Sequence, residues 1–209
     1  MNRANPIDVF YPIVPDFTWL QRIVPLGIKT IQLRLKDATA SEIARQIEAS
    51  LDLCARHDCQ LIVNDHWQAA MAAGADYVHL GQEDLTTADI PNLKSLGIRI
   101  GLSSHSPEEL ERALAIDPDY VALGPIWETK LKAMKWAPQG LERLGIWKQR
   151  MGRIPLVAIA GITIERAPLV LSAGADSAAV ITDFITHADP DARIKLWLEW
   201  ANTVRPSSN

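Results

Sequence analysis

Gln32, Arg34 and Lys36 occupy every second position of Ile31-Gln-Leu-Arg-Leu-Lys-Asp37, with Ile31, Leu33 and Leu35 between them. In an extended strand that spacing gathers an amide and two cations on one face and three apolar side chains on the other. Further apolar runs also end in polar groups: Leu61-Ile-Val-Asn-Asp65, Tyr77-Val-His-Leu-Gly-Gln-Glu-Asp84, and Arg99-Ile-Gly-Leu102 followed by Ser103, Ser104 and His105. Two cations beside carboxylates drawn from Asp65, Glu83 and Asp84 suit a magnesium ion holding a diphosphate. Magnesium takes oxygen ligands and shares them between carboxylates and substrate phosphates. Arginine and lysine neutralise the remaining oxygens, the arginine as a two-pronged donor. The competing accounts are an exposed edge strand for the Gln32 face and an internal ion pair between Arg34 and Asp65. The joint placement of these groups on successive strand ends favours a ligand.

A third cation, Lys132, falls in the stretch 124–138 with Lys130, Lys135, Trp127 and Trp136. Stretches this long without regular structure often carry function. Gly161, in Ala158-Ile-Ala-Gly-Ile162, and Ile181-Thr182 would offer close backbone approach to a second anion. Taken alone, Gly161 reads better as a turn glycine. Two anion sites, one with a metal, point to a reaction between two phosphorylated substrates.

These groups need elements to hold them. Strands are predicted at Phe10–Val14, Thr30–Leu35, Leu61–Asn64, Tyr77–Leu80, Arg99–Leu102, Asp119–Leu123, Pro155–Ile159 and Ser177–Ile181. Pro12 weakens the first, since proline lacks a ladder donor. Helical segments alternate with them. Phe17–Val24 ends before Gly27. Thr39 or Ser41 caps a helix to Arg56 with Ile43, Ile47, Leu51 and Cys54 inward. Trp67–Ala73 is short. Thr87–Leu96 has its start blurred by Pro91. Ser106-Pro-Glu-Glu109 opens a helix to Ile116. Leu141–Gln149, Ile164–Ala173 and Pro190–Thr203 complete the set, with a loose tail from Arg205 to Asn209. Eight strands alternating with eight helical segments predict a (β/α)8 barrel, one domain over residues 1–209, with its site at the C-terminal ends of the strands. An open doubly wound sheet is the alternative, and no Gly-x-Gly-x-x-Gly turn supports it.

With 209 residues, 48% hydrophobic and 22% charged, the chain can build a substantial core. Its net charge of −4 lacks the basic excess of a nucleic-acid protein. No apolar run approaches the roughly 18 residues that span a bilayer, and Met1–Pro6 has no apolar leader, so a cytoplasmic location is expected. Cys54 and Cys59 flank His57 at spacings unlike a zinc site and read as buried thiols. A homo-oligomer is left open.

The motifs Gln32-Leu-Arg-Leu-Lys36, Val63-Asn-Asp65, Val78-His-Leu-Gly-Gln-Glu-Asp-Leu85, Gly101-Leu-Ser-Ser-His105, Ala122-Leu-Gly-Pro-Ile126 and Ala137-Pro-Gln-Gly-Leu141 together resemble the thiamine-phosphate synthase family. The likeness runs in order from Tyr11 to Ile185. It implies a (β/α)8 transferase that joins hydroxymethylpyrimidine diphosphate to thiazole phosphate, giving thiamine phosphate and pyrophosphate. By this resemblance Gln32, Leu33, Arg34, Leu35, Lys36 and Asn64 bind the pyrimidine diphosphate, and Asp65 and Asp84 hold magnesium. Ser103 and Lys132 join the diphosphate side, so that Arg34, Lys36, Ser103 and Lys132 carry catalysis. Thr129, Lys130, Leu131, Gly161, Ile181 and Thr182 fall on the thiazole-phosphate side.

The chain departs from the family pattern in the loop Glu128-Thr-Lys-Leu-Lys132, where the family resembles Pro-Thr-x-Thr-Lys. Leu131 removes a hydroxyl and Glu128 adds a charge. Ala160 replaces a glycine, and Thr182 a serine. His105 is expected to orient the Ser103–Ser104 segment, and His66 and His79 to be structural. Trp127 and Trp136 close over a ring or pack. Two rivals are a thiazole tautomerase-like barrel, which has no use for diphosphate machinery, and a barrel that binds a thiamine precursor without turnover.

Overall fold

The computed structural model describes residues 7–128 and 136–205. Eight parallel strands form a closed ring: β1 (Phe10–Val14), β2 (Thr30–Leu33), β3 (Gln60–Asn64), β4 (Tyr77–Leu80), β5 (Arg99–Ser104), β6 (Tyr120–Leu123), β7 (Leu156–Ile159) and β8 (Ser177–Val180), with β8 paired back to β1. The (β/α)8 barrel expected from the alternation is therefore the fold. The open sheet is excluded by the Phe10–Ala178, Tyr11–Ala179 and Pro12–Val180 register.

Helices lie between the strands: α1 (Phe17–Ile23), α2 (Ala40–Arg56), α3 (Trp67–Ala72), α4 (Ile90–Ser95), α5 (Pro107–Ala115), α6 (Gly140–Met151), α7 (Ala167–Ser172), α8 (Thr182–Ile185) and α9 (Pro190–Val204). Local chemistry sets their starts. Thr39 accepts from the Glu42 amide at the head of α2, and Asp89 from Asn92 at the head of α4. Pro91 thus sits inside the first turn of α4, where a missing donor costs nothing. Ser106 caps α5, but Glu109 reaches one residue further back than a capping box, to the His105 amide at 2.7 Å.

Alternation along each strand divides the side chains between two layers. Ile31, Leu33 and Leu35 face outward into the apolar layer beneath the helices, with Phe10, Trp147 and Trp197. Burying a leucine- or phenylalanine-sized side chain there is worth about 1.5–3 kcal/mol. The barrel interior holds Tyr11, Ile13, Ile62, Tyr77, Tyr120, Ala122, Val157 and Ala179.

Several boundaries differ from those expected. β2 ends at Leu33, so Arg34 and Lys36 follow the strand rather than sit in it. β5 runs two residues further and carries Ser103 and Ser104. α7 begins at Ala167 because a turn closed by the Arg166 amide on Thr163 precedes it. Arg205, expected in a loose tail, is tied to Asp8, its Nε 2.8 Å from Oδ1. No helix among the described residues is long and apolar enough to cross a membrane.

Candidate functional site

A cavity of about 100 Å³ opens among the C-terminal ends of the strands, lined by Tyr11, Gln32, Arg34, Asn64, His79, Ser103 and Tyr120 and by apolar residues including Ile159 and Ile181. Gln32 and Asn64 are inward positions of β2 and β3, and Ser103 of β5. Arg34 extends the β1–β2 ladder by one bond, its amide 2.9 Å from the Val14 carbonyl. Its guanidinium has no hydrogen bond or ion pair among the described residues. Its five donors are therefore free to meet oxygens of a ligand in the cavity.

The loops after β2, β3 and β4 bring Lys36, Asp65 and Asp84 beside this cavity. Lys36 Nζ lies 2.8 Å from Asp65 Oδ2. The ion pair at this rim is therefore Lys36–Asp65 and not the Arg34–Asp65 pair considered from sequence. Asp65 takes a left-handed backbone, φ 63, and its amide donates to the His79 carbonyl. Asp84 Oδ2 accepts from the Gly81 amide at 2.8 Å. Burial raises the Asp84 carboxyl above its ordinary range, and the neighbouring Asp65 raises it further. Among the described residues no cluster of three or more metal-ligating side chains forms. Two crowded carboxylates do fit a hard divalent cation that completes its shell with water and substrate oxygens.

Beneath the rim a chain of polar groups crosses the barrel. Gln32 Nε2 donates to the Tyr11 hydroxyl at 2.7 Å, and the hydroxyls of Tyr11 and Tyr120 are 2.9 Å apart. Tyr120 Oη is 2.7 Å from His79 Nδ1, and His79 Nε2 is 2.9 Å from Ser103 Oγ. The Tyr120 and His79 rings stack at 5.4 Å. Burial lowers the His79 pKa from 6.5 to about 4, so the imidazole is neutral at neutral pH. Burial likewise raises both phenols above their ordinary value. A Cβ at Gly101 would lie 2.1 Å from Tyr120 Cε1, so a glycine on β5 admits this ring. Sequence reasoning read His79 as structural and passed over Tyr11 and Tyr120. The signal was their inward parity on β1 and β6, in step with Gln32 on β2.

A second, more open cavity of about 310 Å³ lies after β7 and β8, lined by Gly161, Ile162, Thr163, Arg166, Thr182, Asp183, Thr186 and His187. Gly161 has φ 70, and a Cβ there would fall 2.6 Å from Trp127 Cβ. Arg166, not singled out from sequence, donates to the Gly161 carbonyl at 2.7 Å and stacks on Trp127 at 4.8 Å. Asp183 is matched by a two-pronged Arg193 contact, 2.8 Å on each oxygen.

The structure thus gathers Gln32, Arg34, Asn64, Ser103 and Ile181 in one cavity, and Gly161 and Thr182 in the next. The Leu33 and Leu35 side chains point away into the apolar layer, so those two residues could offer a ligand only backbone. Thr129, Lys130, Leu131 and Lys132 lie outside the described residues. His105 is held by Glu109, Nδ1 to Oε2 2.8 Å, and stacks on Trp136 at 5.8 Å. The Ser103 carbonyl is braced instead by Gln82, at 2.7 Å. Cys54 and Cys59 are free and buried, as read.

Known proteins resemble this chain along most of its length. The family model described as thiamine monophosphate synthase matches residues 11–184. The thiamine-phosphate synthase of Rhizobium etli is 55% identical over 92% of this chain and 94% of its own. That of Neisseria meningitidis serogroup A is 43% identical over 89% and 91%. Among solved structures, thiamine phosphate pyrophosphorylase from Pyrococcus furiosus superposes with a TM-score of 0.82 at 28% identity, covering 94% of this chain and 96% of that one.

Proposed function

The chain belongs to the thiamine monophosphate synthase family and is a transferase of thiamine synthesis, and from that premise we propose how its two cavities divide the work. The β1–β6 mouth takes hydroxymethylpyrimidine diphosphate. The cavity after β7 and β8 takes thiazole phosphate. Joining them gives thiamine phosphate and pyrophosphate. The observation that carries this reading is Arg34, whose guanidinium has no partner among the described residues and lines the first cavity, with Asp65 and Asp84 crowded together on the next strand ends and a second cavity after β7 and β8.

The chemistry asks for no protein nucleophile. The C–O bond between the pyrimidine methylene and the diphosphate breaks, and its electron pair leaves with pyrophosphate. The electron-rich aminopyrimidine spreads the positive charge left on the methylene. The thiazole nitrogen then gives its lone pair to form the new C–N bond. Arg34 and Lys36, with Ser103 as a hydroxyl donor, stabilise charge as it collects on the departing oxygens. Lys132, between β6 and α6 in the sequence and outside the described residues, is assigned as a further cation. Asn64 and Gln32 orient the ring end. Asp65 and Asp84 would hold magnesium, which supplies Lewis-acid stabilisation of the leaving group when bound. Gly161 and Thr182, with the backbone at Ile181, receive the thiazole phosphate, and Thr129, Lys130 and Leu131 complete that side. Both substrates are multiply charged and do not cross a bilayer, which supports action in the cytoplasm. We read residues 1–209 as one barrel domain.

The test is pyrophosphate release by purified protein given both substrates and magnesium, with the product weighed by mass spectrometry. Thiamine phosphate formed only when all three are present is the expected result. Pyrimidine diphosphate bound without turnover would instead make the barrel a sensor.

A further inference from the structure

We infer that Gln32, Tyr11, Tyr120, His79 and Ser103 form one directed hydrogen-bond chain whose two ends read the pyrimidine substrate together, making Tyr11, Tyr120 and His79 positioning residues that set substrate specificity. This rests on the assignment of the first cavity to the pyrimidine diphosphate.

The direction follows from counting protons. Each phenol carries one, and so does a neutral imidazole. Gln32 Nε2 donates to Tyr11. The Tyr11 hydroxyl is buried, and the Tyr120 oxygen at 2.9 Å is the acceptor within reach. Tyr120 must then donate to His79 Nδ1, and His79 must carry its proton on Nε2 and donate it to Ser103 Oγ. The Ser103 proton is left over for the mouth of the barrel. The Gln32 Oε1 atom, without a hydrogen-bond partner among the described residues, is left to accept. The mouth therefore shows an acceptor at Gln32 and a donor at Ser103.

The chain has a second arrangement. Turn the Gln32 amide over, and every bond reverses. Ser103 donates inward to His79, Tyr120 donates to Tyr11, and Tyr11 donates to Gln32. The mouth then shows a donor at Gln32 and an acceptor at Ser103. A mixture of the two supplies three or five protons for the four links, so one link inside the barrel has two acceptors facing with no proton or two protons facing, and such a buried defect is costly. The two ends therefore switch as one.

An aminopyrimidine diphosphate matches the first arrangement at both ends. Its amino group donates to Gln32, and its diphosphate accepts from Ser103. Replace the amino group by a carbonyl and the ring asks Gln32 for a donor. Meeting that demand reverses the chain and takes the Ser103 donor away from the diphosphate. The deaminated substrate is thus refused twice, once at each end, through side chains of which three are not needed for contact.

The experiment measures dissociation constants for hydroxymethylpyrimidine diphosphate and its 4-oxo counterpart on the wild type, Tyr120→Phe and Tyr11→Phe, with the His79 tautomer read by 15N NMR in the wild-type complex. The wild type is expected to hold His79 as the Nε2–H tautomer and to prefer the amino compound. Either variant is expected to lose roughly tenfold of that preference. Two variants cut the chain at different links, so one that fails to fold leaves the other, and the tautomer needs neither. An Nδ1–H tautomer in the complex, or an unchanged preference in the folded variants, overturns the inference. No binding of either compound to the wild type overturns the cavity assignment, and the inference with it.

Discussion

Lys36 Nζ and Asp65 Oδ2 are 2.8 Å apart across neighbouring strand ends, so one of the two carboxylates proposed to hold a metal is already matched by a cation. The pair is half open to solvent, and pairs of that kind contribute about 0–1 kcal/mol to stability. On the proposed assignment its importance lies in exchange: a divalent cation that takes Asp65 would release Lys36 toward the diphosphate. Lys36→Met should therefore bind magnesium severalfold more tightly without substrate, yet show a higher KM for pyrimidine diphosphate. Calorimetric titration with magnesium and steady-state kinetics check the two halves. Equal or weaker magnesium binding sinks the exchange.

Arg34→Met removes a cation that no described side chain holds. Turnover should fall by about a hundredfold or more, while thermal stability stays within about 0.5 kcal/mol of the wild type. A comparable loss in both would mean that Arg34 is structural.

Gly101→Ala should disrupt the interior without touching a ligand. The new methyl would occupy the place of the Tyr120 ring edge. Overpacking of this sort costs about 1–3 kcal/mol. Denaturant unfolding should show the loss, and the preference for the aminopyrimidine should weaken with it.

Gly161→Ala tests the second cavity. The position has φ 70, and the added carbon would press on Trp127 and on the Glu128 carbonyl. The KM for thiazole phosphate should rise at least several-fold while the KM for pyrimidine diphosphate holds. A rise in both would tie Gly161 to the whole mouth and not to one substrate.

His79 makes stability depend on pH in a known direction. Its folded value of about 4 lies below the ordinary 6.5, so the unfolded chain takes up the proton first. Its contribution is complete above pH 6.5 and is lost as pH falls toward 4, about 3 kcal/mol in all. His79→Gln should flatten that part of the curve in unfolding experiments at fixed magnesium. An unchanged slope would assign the acid limb to carboxylates.

The strand order and the polar rim were legible because Ile31–Asp37, Leu61–Asp65 and Tyr77–Asp84 each switch from apolar alternation to chemistry at one end. Pro12 proved a weak objection, since β1 closes the ring regardless. The interior chain was harder to see. Tyr11 lies between Phe10 and Pro12, and nothing in a run of apolar residues says which parity faces inward until the ring closes. Asp65 was weighed as a partner of Arg34 and is held by Lys36 instead: β2 ends at Leu33, and strand alternation alone does not say which of two cations beyond it turns toward the next strand end. The four-residue α8 escaped because one turn is too short for periodicity. Arg166 escaped because its partners, Gly161 and Trp127, come from two other loops.

The β1–β8 pairing and the Asp8–Arg205 contact join the two ends of the described chain. A ribosome releases Tyr11 early, yet β1 has only one of its two neighbours until Ser177–Val180 follows. Tyr120 is made 109 residues after Tyr11. A nascent or C-terminally clipped chain thus holds most of the side chains of the mouth without the closed ring that puts them in register. The mouth comes into register last of all, when β8 reaches the free edge of β1.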